Sequence, residues 1–63
     1  MKTLYEYVVM SPEGWRVGSG WTESIEEARY KCRILLEDYP PCSCRIYRYP
    51  DPAADPVLVE VVK

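Results

Sequence analysis

One amphipathic helix with a clear start and a clear stop constrains this chain more than any other feature. Ser24 followed three residues later by Glu27 is a capping box, so a helix is predicted to begin at Ile25. The Pro40-Pro41 pair ends it. Between these limits the apolar positions recur at helical spacing, at Ile25, Ala28, Cys32, Leu35, Leu36 and Tyr39. We therefore predict one helix over Ile25–Asp38 with a single apolar stripe.

The segments on both sides of this helix alternate in the manner of strands. A Pro-Gly turn at residues 11–14 separates the first two strands, and three prolines within residues 50–56 predict a loop before the last one. The four predicted strands cover residues 3–10, 15–21, 42–49 and 57–62. Gly18 and Gly20 in the second strand indicate a bulge or a close backbone approach.

The order strand-strand-helix-strand-strand predicts an α+β domain that spans residues 1–63, with one helix on a four-stranded antiparallel sheet. The order 2-1-3-4 makes every pair of neighbours antiparallel and places the most apolar strand inside. Both faces of that strand are largely apolar, which is typical of a central strand. The residues predicted to be buried under the helix are Ala28, Cys32, Leu35, Cys44 and Ile46.

Three cysteines, Cys32, Cys42 and Cys44, raise the question of a metal or redox site. A zinc site normally has four ligands, and no His is present to supplement three thiols. An odd number of cysteines does not favour a disulfide framework, and free cysteine is often buried as a small apolar residue. We expect Cys32 and Cys44 to be core residues with reduced thiols, and we expect no metal or cofactor. A metal or redox role is the alternative.

The adjacent carboxylates give no basis for catalysis. Glu26 with Glu27 and Glu37 with Asp38 form pairs near the two ends of a surface helix. Such pairs act as acid and base only where a water-poor pocket separates their pKa values. The sequence also has no His and no Gly-rich phosphate loop. We therefore expect that the chain is not an enzyme.

Tyrosine and arginine side chains are predicted to share the sheet face that the helix leaves uncovered. They are Tyr5, Tyr7, Arg45, Tyr47 and Tyr49. Three interpretations are open: the tyrosines complete a half-exposed sheet, they form a protein contact, or they stack on bases. Eight basic against ten acidic residues give a net charge of −2, which makes a nucleic-acid partner the weakest of the three.

Acidic residues cluster at both ends of the predicted helix, with Glu23, Glu26 and Glu27 at its start and Glu37 and Asp38 at its end. Ordinary solvation and pairing with the helix dipole account for such clusters. The alternative is an acidic surface that presents fixed negative charge to a basic DNA-binding groove on a protein partner.

The N-terminal residues lack the uninterrupted apolar stretch of a signal peptide. No segment approaches the roughly 18 apolar residues that span a bilayer. We expect a cytoplasmic protein with no membrane partner.

The segment 21–29, WTESIEEAR, and the strand 44–47, CRIY, resemble the small anti-CRISPR proteins of phages and mobile elements. The likeness is one of size and shape, covering an acidic chain of this length with one helix on a small sheet and a surface rich in Tyr and Trp. It implies a stoichiometric inhibitor of a CRISPR effector complex that acts in the bacterial cytoplasm. Several such inhibitors cover a DNA-binding groove.

Two other classes of function are open. One is a single-stranded nucleic-acid binder that uses the Tyr/Arg face, and the other is a homodimer that buries this face against a second copy. Salt distinguishes them, because nucleic-acid binding weakens steeply as salt rises.

Overall fold

The computed structural model describes residues 3–50 and 55–63. Its elements are β1 (Leu4–Met10), β2 (Arg16–Thr22), α1 (Ile25–Asp38), β3 (Ser43–Tyr49) and β4 (Val57–Val62). The predicted bounds of the helix and of the last strand are confirmed, and the other strands agree to within one residue at each end. Much of the loop predicted over residues 50–56 lies outside the described residues, as do the first two residues of the chain.

The four strands form one sheet in the order β2-β1-β3-β4, and every pair of neighbours is antiparallel. The predicted fold class and strand order are therefore confirmed. In the central pair Val9 lies opposite Cys44, and Tyr7 lies opposite Ile46. The register shifts once in each outer pair, at Val9 and Met10 against β2 and at Ile46 and Tyr47 against β4.

The turn from β1 to β2 depends on a glycine. Gly14 has a φ of 94°, a conformation that side chains with a Cβ rarely adopt. Its N–H donates to the Ser11 carbonyl over 3.0 Å, and the Ser11 N–H donates to the Trp15 carbonyl over 2.8 Å. The turn predicted from Pro and Gly is thus present.

Helix α1 begins and ends where its caps predict. The Ser24 hydroxyl accepts from the Glu27 N–H over 3.4 Å, and the Tyr39 N–H donates to the Leu35 carbonyl over 3.1 Å. With 14 residues, α1 is too short to cross a bilayer, and the described part of the chain has no helix that is long and apolar enough to do so.

The core lies between α1 and one face of the two central strands. Its five side chains, each at most 1% exposed, are Val9, Ala28, Cys32, Cys44 and Ile46. Four of the five residues predicted to be buried are in this set. Leu35 is only half-buried, because it packs against the margin of the cluster.

Cys32 and Cys44 form a disulfide that joins α1 to β3, with the two Cα atoms 5.7 Å apart. The expectation of buried positions for these residues is confirmed, but the expectation of reduced thiols is wrong. Cys32 lies on the helix and Cys44 on the strand beneath it, and these positions face each other, so the two sulfurs meet. Their separation of 12 residues in sequence does not indicate this contact. Cys42 remains the free cysteine.

Removing one methylene group from the centre of the core should measurably destabilise the domain. Ile46→Val is expected to lower the free energy of unfolding by about 0.5–1.5 kcal/mol, because the Ile46 side chain is fully buried. Ile34→Val is the matched control on the exposed side of α1 and should change it by less than about 0.5 kcal/mol. Urea denaturation measures the free energy of unfolding of both variants. Equal losses would contradict the assignment of Ile46 to the core and of Ile34 to the exposed side of α1.

Alkylation tests the disulfide directly. Denatured protein treated with iodoacetamide should gain one adduct without reductant and three after reduction, because one of the three cysteines is free. Reduction should also lower the free energy of unfolding by about 3 kcal/mol, since the cross-link closes a short loop in the unfolded chain. Three adducts in the unreduced sample, read by intact mass, would show that the bond is absent.

Candidate functional site

One face of the sheet carries no helix in the described part of the chain, and we call it the open face. Directly paired residues of antiparallel strands point to the same face, so the register identifies its members. Because Val9, Cys44 and Ile46 face α1, their immediate neighbours along each strand face the other way. The open face carries Leu4, Glu6, Val8, Met10, Arg16, Ser19, Trp21, Ser43, Arg45, Tyr47, Tyr49, Leu58 and Val61.

The prediction placed Tyr5 and Tyr7 on this face, and it is wrong for both. They lie on the same side of β1 as Val9 and pack against the core cluster under the helix. Gly20 explains how the large Tyr7 ring fits there, because a Cβ at Gly20 would overlap the Tyr7 ring and hydroxyl. The close approach predicted from the glycines of β2 is thus present at Gly20. Arg45, Tyr47 and Tyr49 do share the open face, as predicted.

A buried carboxylate lies at the centre of the open face. One oxygen of Glu6, Oε2, accepts from Arg16 Nη2 over 2.7 Å in an ion pair, and the other, Oε1, accepts from the Tyr49 hydroxyl over 3.0 Å. The Glu6 side chain is buried while the Arg16 side chain is exposed. Burial of a charge is costly unless it is paired, so both neighbours are held in place by the carboxylate.

Two aromatic rings extend this cluster. The ring centroids of Trp21 and Tyr49 are 4.9 Å apart and their planes are tilted by 49°. Trp21 lies opposite Glu6 on β2 and remains 54% exposed. A tilted pair at this distance is a favourable geometry for aromatic rings. The exposed indole therefore packs on a tyrosine whose hydroxyl is bonded to Glu6.

A shallow concavity of about 480 Å³ is lined in part by Glu6, Arg16 and Tyr49 of this cluster. Its apolar floor includes Val8 and Met10, and its polar side includes Arg45 and Tyr47. Val8 is buried although no helix covers it, so the long side chains around it close over the strand. The open face is thus a partly filled surface, with an apolar floor and polar edges.

A second concavity, of about 710 Å³, lies where α1 ends. Its lining mixes Arg33, Glu37 and Lys63 with the side chains of Leu36 and Cys42. It is larger than the concavity on the open face, but it has no buried polar group aimed into it. We therefore place the candidate site on the open face, where a fixed polar cluster is present.

The acidic residues predicted as contact residues do not form one patch. Glu23, Glu26 and Glu27 are exposed near the start of α1, and Glu37 and Asp38 are exposed at its end. From Glu27 to Glu37 the helix rises by about 15 Å, so the two clusters are well separated. Arg29, Lys31 and Arg33 lie between them in sequence and are also exposed. Arg29 forms an ion pair with Glu60 of β4, with its Nε 2.9 Å from Oε1.

Glu6, Arg16 and Trp21 are site residues that the sequence did not identify. One signal was available. Glu6 is the charged residue in a strand whose two faces are otherwise apolar or aromatic. A charge buried in such a strand requires a partner from a neighbouring strand. The identity of that partner depends on register, which places Arg16 near Glu6 only through the bulge in β2.

The cysteines do not form a metal site in the described residues. Two of the three sulfurs are joined to each other, and residues 3–50 and 55–63 contain no group of three or more His, Cys, Asp or Glu that could hold a metal ion.

Comparison of the chain with protein-family models, with curated proteins and with solved structures finds no match.

The environment of Tyr49 makes a prediction about its titration. Desolvation by the surrounding side chains, and then the hydrogen bond to the Glu6 carboxylate, raise the pKa of Tyr49 above its ordinary value of 10.0. In Glu6→Gln the pKa of Tyr49 should fall back toward that value. Phenolate absorbance during an alkaline titration measures it, with Tyr49→Phe used to assign the signal. An unchanged titration would contradict the contact.

The same contact should affect stability at high pH. A phenol whose pKa is raised on folding stabilises the native state below the unfolded pKa of about 10 and loses that contribution as the pH rises through the folded pKa. Unfolding free energies should therefore fall less steeply above pH 10 for Tyr49→Phe than for the wild type. Chemical denaturation at a series of alkaline pH values gives the comparison, and parallel curves would contradict the raised pKa.

Proposed function

We propose that this chain is a non-catalytic protein-binding domain that inhibits its target by occupying a surface, and that the open face makes the contact. The observation that carries the proposal is the exposed Trp21 ring, which packs on Tyr49 beside the Glu6–Arg16 ion pair. Trp, Tyr and Arg are the residues that most often dominate the energy of a protein interface.

The rigidity of the cluster favours binding. Ordering a free side chain at an interface costs about 0.5–1.5 kcal/mol, and this cost is reduced where the side chain is already held. Here the Tyr49 hydroxyl and the Arg16 guanidinium are both bonded to one carboxylate before any partner arrives. The aromatic surface is thus presented in a preformed arrangement.

A protein is the better partner than a nucleic acid. Proteins that bind single strands combine stacked aromatic rings with a positively charged groove. On the open face Glu6 neutralises the charge of Arg16, which leaves Arg45 as the remaining charged side chain, and the whole chain has a net charge of −2. One arginine does not make a positively charged groove, whereas a protein surface can complement both the ion pair and the rings.

The target class that we propose is a nucleic-acid-handling bacterial complex, and a CRISPR effector complex is the case that the resemblance suggests. The exposed acidic clusters at the two ends of α1 support this choice, because a DNA-binding groove is basic. Charge of opposite sign raises the association rate through long-range attraction. In this proposal the acidic clusters raise the association rate, and the open face on the other side of the sheet supplies the affinity.

The test measures competition between the purified chain and DNA for purified CRISPR effector complexes. The wild type should block the gel shift of target DNA. Trp21→Ala should weaken this inhibition by roughly 30-fold or more, as expected for a central interface residue. Tyr30→Ala, on the outward side of α1, is the control and should inhibit normally while both variants keep the circular dichroism spectrum of the wild type.

A double variant separates the effect of charge on the association rate from the contribution of the open face to affinity. Glu26→Lys with Glu27→Lys should slow association and leave dissociation nearly unchanged, because both side chains are exposed and lie away from the open face. The proposal fails if Trp21→Ala inhibits as well as the wild type. It also fails if the chain ignores the effector complexes and binds single-stranded DNA at physiological salt.

A further inference from the structure

Strand β4 is an edge of the sheet, and its surface is unusually apolar for an edge. Four of its six side chains are between 39% and 50% exposed, and they are Val57, Leu58, Val59 and Val61. One side of its backbone pairs with β3, and no described strand lies on its other side. An exposed apolar edge of this kind is a template for pairing with another strand.

The two edges of the sheet differ in this respect. At the opposite edge β2 also exposes Val17 and Trp21, but it carries the charged Arg16, and a charged side chain on an edge strand discourages strand addition. Its two glycines offer a second strand no side chain to pack against. Within β4 the charged residue is Glu60, whose carboxylate is bonded to Arg29 of the helix over 2.9 Å. Glu60 therefore forms its ion pair on the helix side of the sheet, and its charge does not prevent another strand from pairing with β4.

We propose that β4 pairs antiparallel with β4 of a second copy of this chain. The bulge in β4 determines the register. Val57 and Val62 lie on the helix face, opposite Arg48 and Cys44, whereas Leu58 and Val61 lie on the open face, opposite Tyr47 and Arg45. If Val57 pairs with Val62 of the second copy, then Leu58 pairs with Val61 of the second copy. Each of these apolar pairs then meets on one face of the continuous sheet. At the centre Val59 lies opposite Glu60 of the second copy, whose carboxylate is bonded to Arg29 of its own helix.

Charge supports the same register. Lys63 follows β4 directly, and Asp55 lies two residues before it; both are exposed. In this register Lys63 lies opposite residue 56 of the second copy, next to its Asp55. The two-fold symmetry makes two such pairs, one at each end of the joined strands. The positive end of β4 in one copy thus meets the negative end of β4 in the other, in the same antiparallel register that the apolar pairs require.

The resulting assembly is an eight-stranded sheet with both helices on one side. The two-fold axis runs perpendicular to the sheet, because each paired residue stays on its own face. The two open faces then form one continuous surface on the other side, so dimerisation leaves Trp21 and its neighbours accessible. This distinguishes the proposed dimer from one that buries the open face.

Sedimentation velocity of the full chain over a range of concentrations tests the dimer. The wild type should approach twice the chain mass of 7.4 kDa as concentration rises. Val61→Lys should raise the dissociation constant by on the order of tenfold, because two symmetry-related cross-strand pairs are lost. Val17→Lys is the matched control at the other edge, since Val17 and Val61 are 43% and 42% exposed, and it should dimerise like the wild type.

Charge reversal at the ends of β4 tests the same interface with variants that do not depend on whether Val61→Lys folds. Lys63→Asp and Asp55→Lys should each weaken the dimer roughly threefold to tenfold, and the two changes together should restore it. A chain that stays monomeric at all concentrations overturns the proposal. So does a dimer that Val17→Lys or Trp21→Ala disrupts while Val61→Lys does not.

Discussion

The contact between α1 and β3 is the interaction on which the rest of this structure depends. The Cys32–Cys44 disulfide crosses it, and Ala28 and Ile46 complete it with no exposed surface. A domain of this size buries only about 60% of the surface of its unfolded chain, so a cross-link within so small a core contributes a large share of its stability. The same contact fixes orientation, because a strand that directs Cys44 toward the helix must direct Arg45 and Tyr47 away from it.

The properties of the open face follow from that orientation. With the helix on one side, no other described element covers the polar members of β1 and β3, and Glu6 is buried by the side chains that bond and surround it. Its carboxylate therefore organises the face: it fixes Arg16, holds the Tyr49 hydroxyl and thereby sets the ring on which Trp21 packs. A buried ion pair adds little net stability as a rule, but removal of one partner is costly, so the cluster has one favoured arrangement.

The sequence predicts the parts of the fold that are encoded locally. Ser24 and the Pro40-Pro41 pair determine both ends of α1, and alternation together with chain direction leads to the strand order. The face of β1 was not predictable in the same way, because Tyr5 and Tyr7 on one side and Leu4 and Val8 on the other are all able to enter a core. The space beside Gly20 allows the Tyr7 ring to lie on the helix side of β1. Only the register of β1 against β2, which places Tyr7 opposite Gly20, reveals that space. For the same reason the disulfide and the Glu6–Arg16 pair, which join distant segments, could not be predicted.

Site-specific photocrosslinking tests most directly whether the open face is the contact surface. A photoreactive phenylalanine analogue would replace Trp21 on the open face or Tyr30 on the outward side of α1, two aromatic positions that are 54% and 61% exposed. After irradiation with the purified effector complex, the probe at position 21 should form a covalent adduct with the target, and the probe at position 30 should not. Adducts from position 30 alone would contradict the account and place the contact on the helix.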